Sequence, residues 1–142
     1  MTQVGAARTG GLARRLLGPA VVLGAVAAGV TWVALVDPHE PGHYPVCPLL
    51  WATGLYCPGC GALRMVNALA HGRPGAAFGL NPLLFALLPV LGYLYGRWVL
   101  LAARGRPMTS RLLRPAAAYA VLVLVIVFWV VRNLPFGASL AP

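Results

Sequence analysis

Acidic side chains are almost missing from this 142-residue chain: Asp37 and Glu40 are the whole complement, and both fall in one short segment. The apolar runs contain neither, which argues against a proton- or sodium-coupled transporter, where such groups bind the ion. Nor is there a Ser/His/Asp constellation, a phosphate-binding glycine loop or a paired-carboxylate site. Lysine is absent altogether, and all 11 basic side chains are arginine. Charged residues make up only 9% of the chain, against roughly 25% in an ordinary soluble domain. Cysteine is scarce too, at three, and three cysteines cannot all pair within one chain.

What is present is apolar. Hydrophobic residues account for 60% of the chain and its mean hydropathy is +0.80, so the sequence is that of an all-α integral membrane protein. Three runs are long enough to span: 17–36, 82–103 and 115–131. At ~1.5 Å per residue the first two cover a hydrocarbon core of ~30 Å and the third nearly does. Asn81-Pro82 and Arg114-Pro115 place a proline at the first position of the second and third helices. Trp32 and Trp129 fall near one interface and Trp98 near the other. Gly92 and Gly96, and the stripe Ala20, Gly24 and Ala28, are small-residue faces suited to close helix packing, within the chain or against a partner. The net charge of +9 sits mostly at the ends of apolar runs, so it reads as topogenic and lipid-facing rather than as a nucleic-acid surface.

Orientation follows from those arginines. Arg8, Arg14 and Arg15 precede the first span, and Arg104, Arg106, Arg111 and Arg114 fill the loop after the second. Residues 1–16 and 104–114 are therefore expected to be cytoplasmic, with 37–79 and the tail 132–142 extracytoplasmic. Arg97, deep in a span, can snorkel to the cytoplasmic surface. The first run follows a basic stretch as a secretory signal would, but its length favours an uncleaved anchor, and Arg14-Arg15 fits a twin-arginine export signal poorly.

The segment 37–79 has a different texture. A polar, proline-rich stretch from Asp37 to His43 leads to apolar Leu49-Leu50-Trp51, and from Cys57 the pattern turns helical. Cys57 is placed to cap that helix, Pro58 suits its first position, and Gly72 with Pro74 ends it. Cys60, Arg64, Asn67 and His71 would fall on one stripe, with Ala62, Met65, Val66 and Leu69 opposite. The expectation is a short extracytoplasmic amphipathic helix, too short to span, that lies in the outer interface or dips into the bundle with one polar stripe.

Cys47, Cys57 and Cys60 are the groups with evident chemistry, and three readings compete. Cys57-Pro58-Gly59-Cys60-Gly61 has the spelling of a zinc knuckle, with Cys47 a third ligand and His43 or His71 a fourth, although the second paired knuckle of a soluble zinc ribbon is missing. In a redox reading, the helix N-terminus and Arg64 stabilise a thiolate at Cys57, with Cys60 as the resolving partner or Cys47 as a structural one. In a structural reading, Cys47 pairs with Cys57 or Cys60 and pins the outer loop, which an extracytoplasmic location permits. His71 at a helix end reads first as a cap, and Arg64 and Asn67 as a solvated or phosphate-facing surface. His39 and His43 lie in an exposed loop near Cys47.

Cys47-Pro48, the run Thr53 to Gly61, Arg64, His71-Gly72, Leu80-Asn81-Pro82 and the closing Arg132-Asn133-Leu134-Pro135-Phe136 together resemble the small bacterial membrane proteins grouped as domain of unknown function 2752. The resemblance brings no activity with it. From the residues, the expected function is a non-enzymatic accessory or assembly protein with a cysteine-containing extracytoplasmic site, zinc being the candidate cofactor and a membrane-protein partner or second copy the candidate contact besides lipid. The alternative is a membrane thiol-disulfide oxidoreductase or metal-handling protein.

Overall fold

The computed structural model describes residues 11–40, 42–108, 110 and 114–140. Arg8 and Arg111, two of the arginines used for orientation, lie outside these. The described residues are helical and contain no strand: α1 (Leu12–Leu35), α2 (Pro48–Thr53), α3 (Ala62–Ala70), α4 (Pro74–Leu80), α5 (Pro82–Ala103), α6 (Pro115–Arg132), and a closing 3-10 helix, Pro135–Leu140. α1, α5 and α6 are long and apolar enough to cross a membrane. Their side chains are mostly exposed, as expected for surfaces that face hydrocarbon rather than a protein core.

Local chemistry explains most boundaries. α1 begins at Leu12 rather than Leu17, taking Arg14 and Arg15 into its first turn, where their amides donate to the Gly11 carbonyl. Arginine is a good helix former, so it extends an apolar run instead of ending it. The Asn81 side chain accepts from the Leu84 amide at 3.0 Å and caps α5 as expected, with Pro82 at its first position. α3 closes in a Schellman turn: Gly72 has φ +69°, its amide donates to Leu69, and the Arg73 amide donates to Ala68.

Two features depart from expectation. α3 does not start at Cys57; its N-cap is Gly61, at φ +83°, and residues 57–60 form a separate turn ahead of it. The glycine at 61 lets the chain enter a left-handed conformation that breaks the turn from the helix. The expected outer helix also proves to be three, because α2 and α4 form on either side of α3, each with a proline in its first turn.

α2, α3, α4 and the 3-10 helix lie where α1 ends, α5 begins and α6 ends, so all connecting structure at 36–81 and 133–140 shares one end of the bundle. α3 packs on α4 and α1, and α4 on α5 and the 3-10 helix. The core is here: Met65, Ala68 and Ala77 are buried, with Val66, Leu69, Leu80, Leu84, Phe85 and Leu88 packed against them. α1 meets α5 through Trp98 against Gly18 and the Tyr95 hydroxyl donating to the Pro19 carbonyl at 3.0 Å. Gly24, Gly92 and Gly96 have nothing within contact distance of where a Cβ would lie, so the small-residue stripes are not the packed faces.

Candidate functional site

The turn Cys57–Cys60 closes with the Cys60 amide donating to the Cys57 carbonyl at 3.1 Å. It brings the two sulfurs 3.1 Å apart and points the Cys57 N–H at the Cys60 sulfur, at 3.2 Å. Cys47 enters from another element, at the N-cap of α2 with Pro48 behind it. The three sulfurs lie within 4.8 Å of one another, all as free thiols. The helix N-terminus that the sequence assigns to Cys57 belongs instead to Cys47.

Their environments differ. Cys47 is lowered from 9.0 to about 7 by the backbone N–H of Leu50 at the start of α2, and then by the Cys57 thiol. Cys60 is 8% exposed; burial first, and then the adjoining Cys57 thiol, push it up to about 12. The cluster thus holds one easily ionised thiol beside one that resists ionisation.

A polar scaffold fixes the turn from behind. Arg132, the last residue of α6, is 1% exposed. Its guanidinium donates to the carbonyls of Cys60 at 3.0 Å, Cys57 at 3.4 Å and Leu80 at 3.4 Å, and it lies 5.8 Å from the centre of the Tyr56 ring and 5.4 Å from that of Phe128. Asn81 turns its amide nitrogen to the carbonyls of Pro58 at 3.0 Å and Cys60 at 3.2 Å while capping α5. Asn133 clamps Tyr56 from both sides, accepting from its amide and donating to its carbonyl, each at 2.9 Å. From the sequence, Asn81 reads as a cap and as part of the family resemblance, and Arg132-Asn133 as part of that resemblance alone. The available signal was an arginine ending an apolar run, where a solvated terminus is the ordinary outcome.

The expected polar stripe divides. Asn67 is buried and donates to the Val33 carbonyl at 2.8 Å, one of the carbonyls that the end of α1 leaves without a helical partner. It is a tie between α3 and α1 rather than an interfacial side chain. The Arg64 Nε donates to the Pro38 carbonyl at 3.4 Å. His71 is exposed and its Nδ1 lies 2.9 Å from the Asn67 carbonyl, as a helix cap does. Met65, Val66 and Leu69 face apolar surroundings as expected.

In front of the cysteines lies a cleft of about 580 Å³ whose lining includes all three together with Tyr56, Arg64 and His39. Neither His43 nor His71 is part of that lining, and neither joins the sulfur group. His43 sits 3.9 Å from Glu40 at the surface. His39 is held by Asp37, whose carboxylate oxygen lies 2.7 Å from its Nδ1 and accepts its backbone N–H at 2.9 Å. That N–H, and next the imidazole, hold the Asp37 carboxyl below its usual range.

Residues 47–95 match the family model described as protein of unknown function (DUF2752), a match over about a third of the chain. The match begins at Cys47 and takes in the whole cysteine turn and α2 to α4. Arg132 to Phe136 falls outside it, although Arg132 returns in space to the cysteine turn and Asn133 to the Tyr56 that precedes it. Comparison with curated proteins and with solved structures gives no match.

Proposed function

We propose that this is a membrane-embedded accessory protein whose cysteine cluster, at the extracytoplasmic end of the bundle, binds a thiophilic divalent metal ion, zinc first. The observation that carries the reading is the convergence of three sulfurs from two separate segments within 4.8 Å. A tetrahedral ion with metal–sulfur bonds of ~2.3 Å needs sulfurs about 3.8 Å apart, so small side-chain adjustments suffice. Arg132 supports the same reading. Three thiolates around a divalent ion leave one net negative charge, and a buried guanidinium on the carbonyls of the ligand turn offsets it. The cysteine turn, anchored by Asn81, Asn133 and Arg132, supplies ligands on a rigid frame, which suits a site that holds an ion and shapes the surface around it for a membrane partner.

A thiol-disulfide reading is the second. It is favoured by the 3.1 Å separation of the Cys57 and Cys60 sulfurs and by the acidified Cys47. Closing Cys57–Cys60 would release two protons and two electrons to a disulfide- or quinone-class acceptor.

Elemental analysis of protein purified in mild detergent separates the two. The metal reading expects one zinc ion per chain, lost in Cys47→Ser, Cys57→Ser and Cys60→Ser alike. Absence of stoichiometric metal, with a Cys57–Cys60 disulfide forming on mild oxidation, would replace it with the redox reading.

A further inference from the structure

We propose that His39 is the fourth donor of the cysteine cluster, completing it as a Cys3His metal centre through Nε2. The assignment rests on the metal reading above and identifies its missing ligand. Three sulfurs leave one position of a tetrahedral ion to be supplied from elsewhere. The cleft in front of the sulfurs is where that donor must stand, and of the three histidines His39 alone lines it.

The chemistry of His39 agrees with its place. An ionised carboxylate can only accept, so the 2.7 Å contact between Asp37 Oδ1 and His39 Nδ1 puts the proton on Nδ1 and leaves the Nε2 lone pair free. A histidine whose other nitrogen is hydrogen-bonded to a carboxylate has the arrangement that metal-ligating histidines use, the carboxylate fixing the tautomer and raising the basicity of the donor. The backbone N–H of His39 on the same oxygen adds rigidity. The competing histidines are excluded by position, since neither His71 nor His43 lines the cleft.

His39 lies outside the 4.8 Å group formed by the sulfurs, so ligation draws the segment carrying it inward across the cleft. The Tyr44 hydroxyl donating to the Val36 carbonyl at 3.0 Å ties the two ends of the segment together, and the Arg64 bond to the Pro38 carbonyl, at 3.4 Å, is the contact to α3 that must lengthen as His39 moves in. Metal binding would therefore close the cleft, converting an open three-thiol surface into a capped four-ligand site.

The test is cobalt substitution of the detergent-purified full chain, read by visible absorption and X-ray absorption, on the wild type and His39→Ala, His43→Ala, His71→Ala and Asp37→Asn. The wild type should show three sulfurs and one nitrogen. His39→Ala should lose the nitrogen and regain a wild-type-like spectrum with added imidazole, while His43→Ala and His71→Ala match the wild type. Asp37→Asn should keep the nitrogen but weaken affinity by about 10- to 100-fold. A His39→Ala spectrum identical to wild type, or loss of the nitrogen in His43→Ala or His71→Ala, would overturn the assignment while leaving the metal site standing. Failure of the wild type to bind cobalt or zinc at all would overturn the metal reading itself. His39 is exposed at the surface, and circular dichroism of the variants checks that their folds are equal.

Discussion

Arg132 shows how a single side chain can organise a site without touching its reactive atoms. Its donors reach three carbonyls, two of them on the cysteine turn. Removing it takes the guanidinium from the Leu80 carbonyl and leaves the Cys57 and Cys60 carbonyls with the Cys60 N–H and the Asn81 amide as their donors. Arg132→Met is therefore expected to destabilise the fold by about 3 kcal/mol, at the upper end for hydrogen bonds to a charged group. Arg132→Lys should recover only part of this, because an ammonium cannot spread three bonds across a plane. Thermal unfolding in detergent measures both. The thiols give a second prediction at this scale. In metal-free protein, alkylation of Cys47 should be half-maximal near pH 7, while Cys60 should stay unreactive well above 9.0. The signs for stability are opposite. Cys47, more acidic folded than unfolded, contributes fully above 9.0 and loses its contribution as pH falls through about 7. Cys60, less acidic folded, contributes fully below 9.0 and loses its contribution as pH rises through about 12. The three cysteines were legible in the sequence because residue type alone marks them. Arg132 and Asn133 were not, because their partners are backbone carbonyls far away in the chain, and a carbonyl leaves no trace in a sequence.

At the scale of elements, glycine and proline carry most of the local decisions. Both Cys-Pro pairs have the spelling of a helix start, yet only Cys47-Pro48 makes one. The difference lies downstream, where Gly61 in the left-handed region lets the second pair fold as a turn before α3 begins. α2 and α4 escape a periodicity reading because six and seven residues fall short of two turns, too few for an apolar face to declare itself. The prolines at 48 and 74 are the signal, and Pro74 both stops one helix and opens the next. Two glycines allow a contrast. Gly72 has φ +69° with open space beside it, so Gly72→Ala should cost only the left-handed penalty, about 1 kcal/mol. Gly137 is buried in the 3-10 helix, and a Cβ there would run into the Val131 carbonyl oxygen at the end of α6. Gly137→Ala should cost about 1–3 kcal/mol as the closing segment shifts off α6. If Gly72→Ala proves the more damaging by chemical denaturation, the docking of the 3-10 helix is unimportant to the fold.

Across the whole molecule, the three long helices converge on the site, and α1 and α5 also pack on each other. α6 is tied in mainly at its last turn and through Asn133, whereas α1 and α5 also meet near their far ends at Gly18, Pro19, Tyr95 and Trp98. The spans were legible from hydropathy, since lipid imposes a length and a composition that nothing else imposes. Their packing was not, because small-residue stripes are common in membrane helices and these ones face outward. Orientation is the remaining property at this scale, and the arginines decide the expectation. The end away from the site carries Arg14, Arg15, Arg104, Arg106 and Arg114, while the site end carries Arg64, Arg73 and the buried Arg132. Positive loops stay in the cytoplasm, so the cysteines should face outward. In a background with the native cysteines replaced by serine, a membrane-impermeant thiol reagent applied to intact cells should label Gly42→Cys and leave Ser110→Cys untouched until the membrane is permeabilised. The reverse pattern would put the cluster in the reducing cytoplasm. A thiolate-bound metal survives that reversal, since its ligands need only be deprotonated, whereas a disulfide at Cys57–Cys60 would lose the compartment that sustains it.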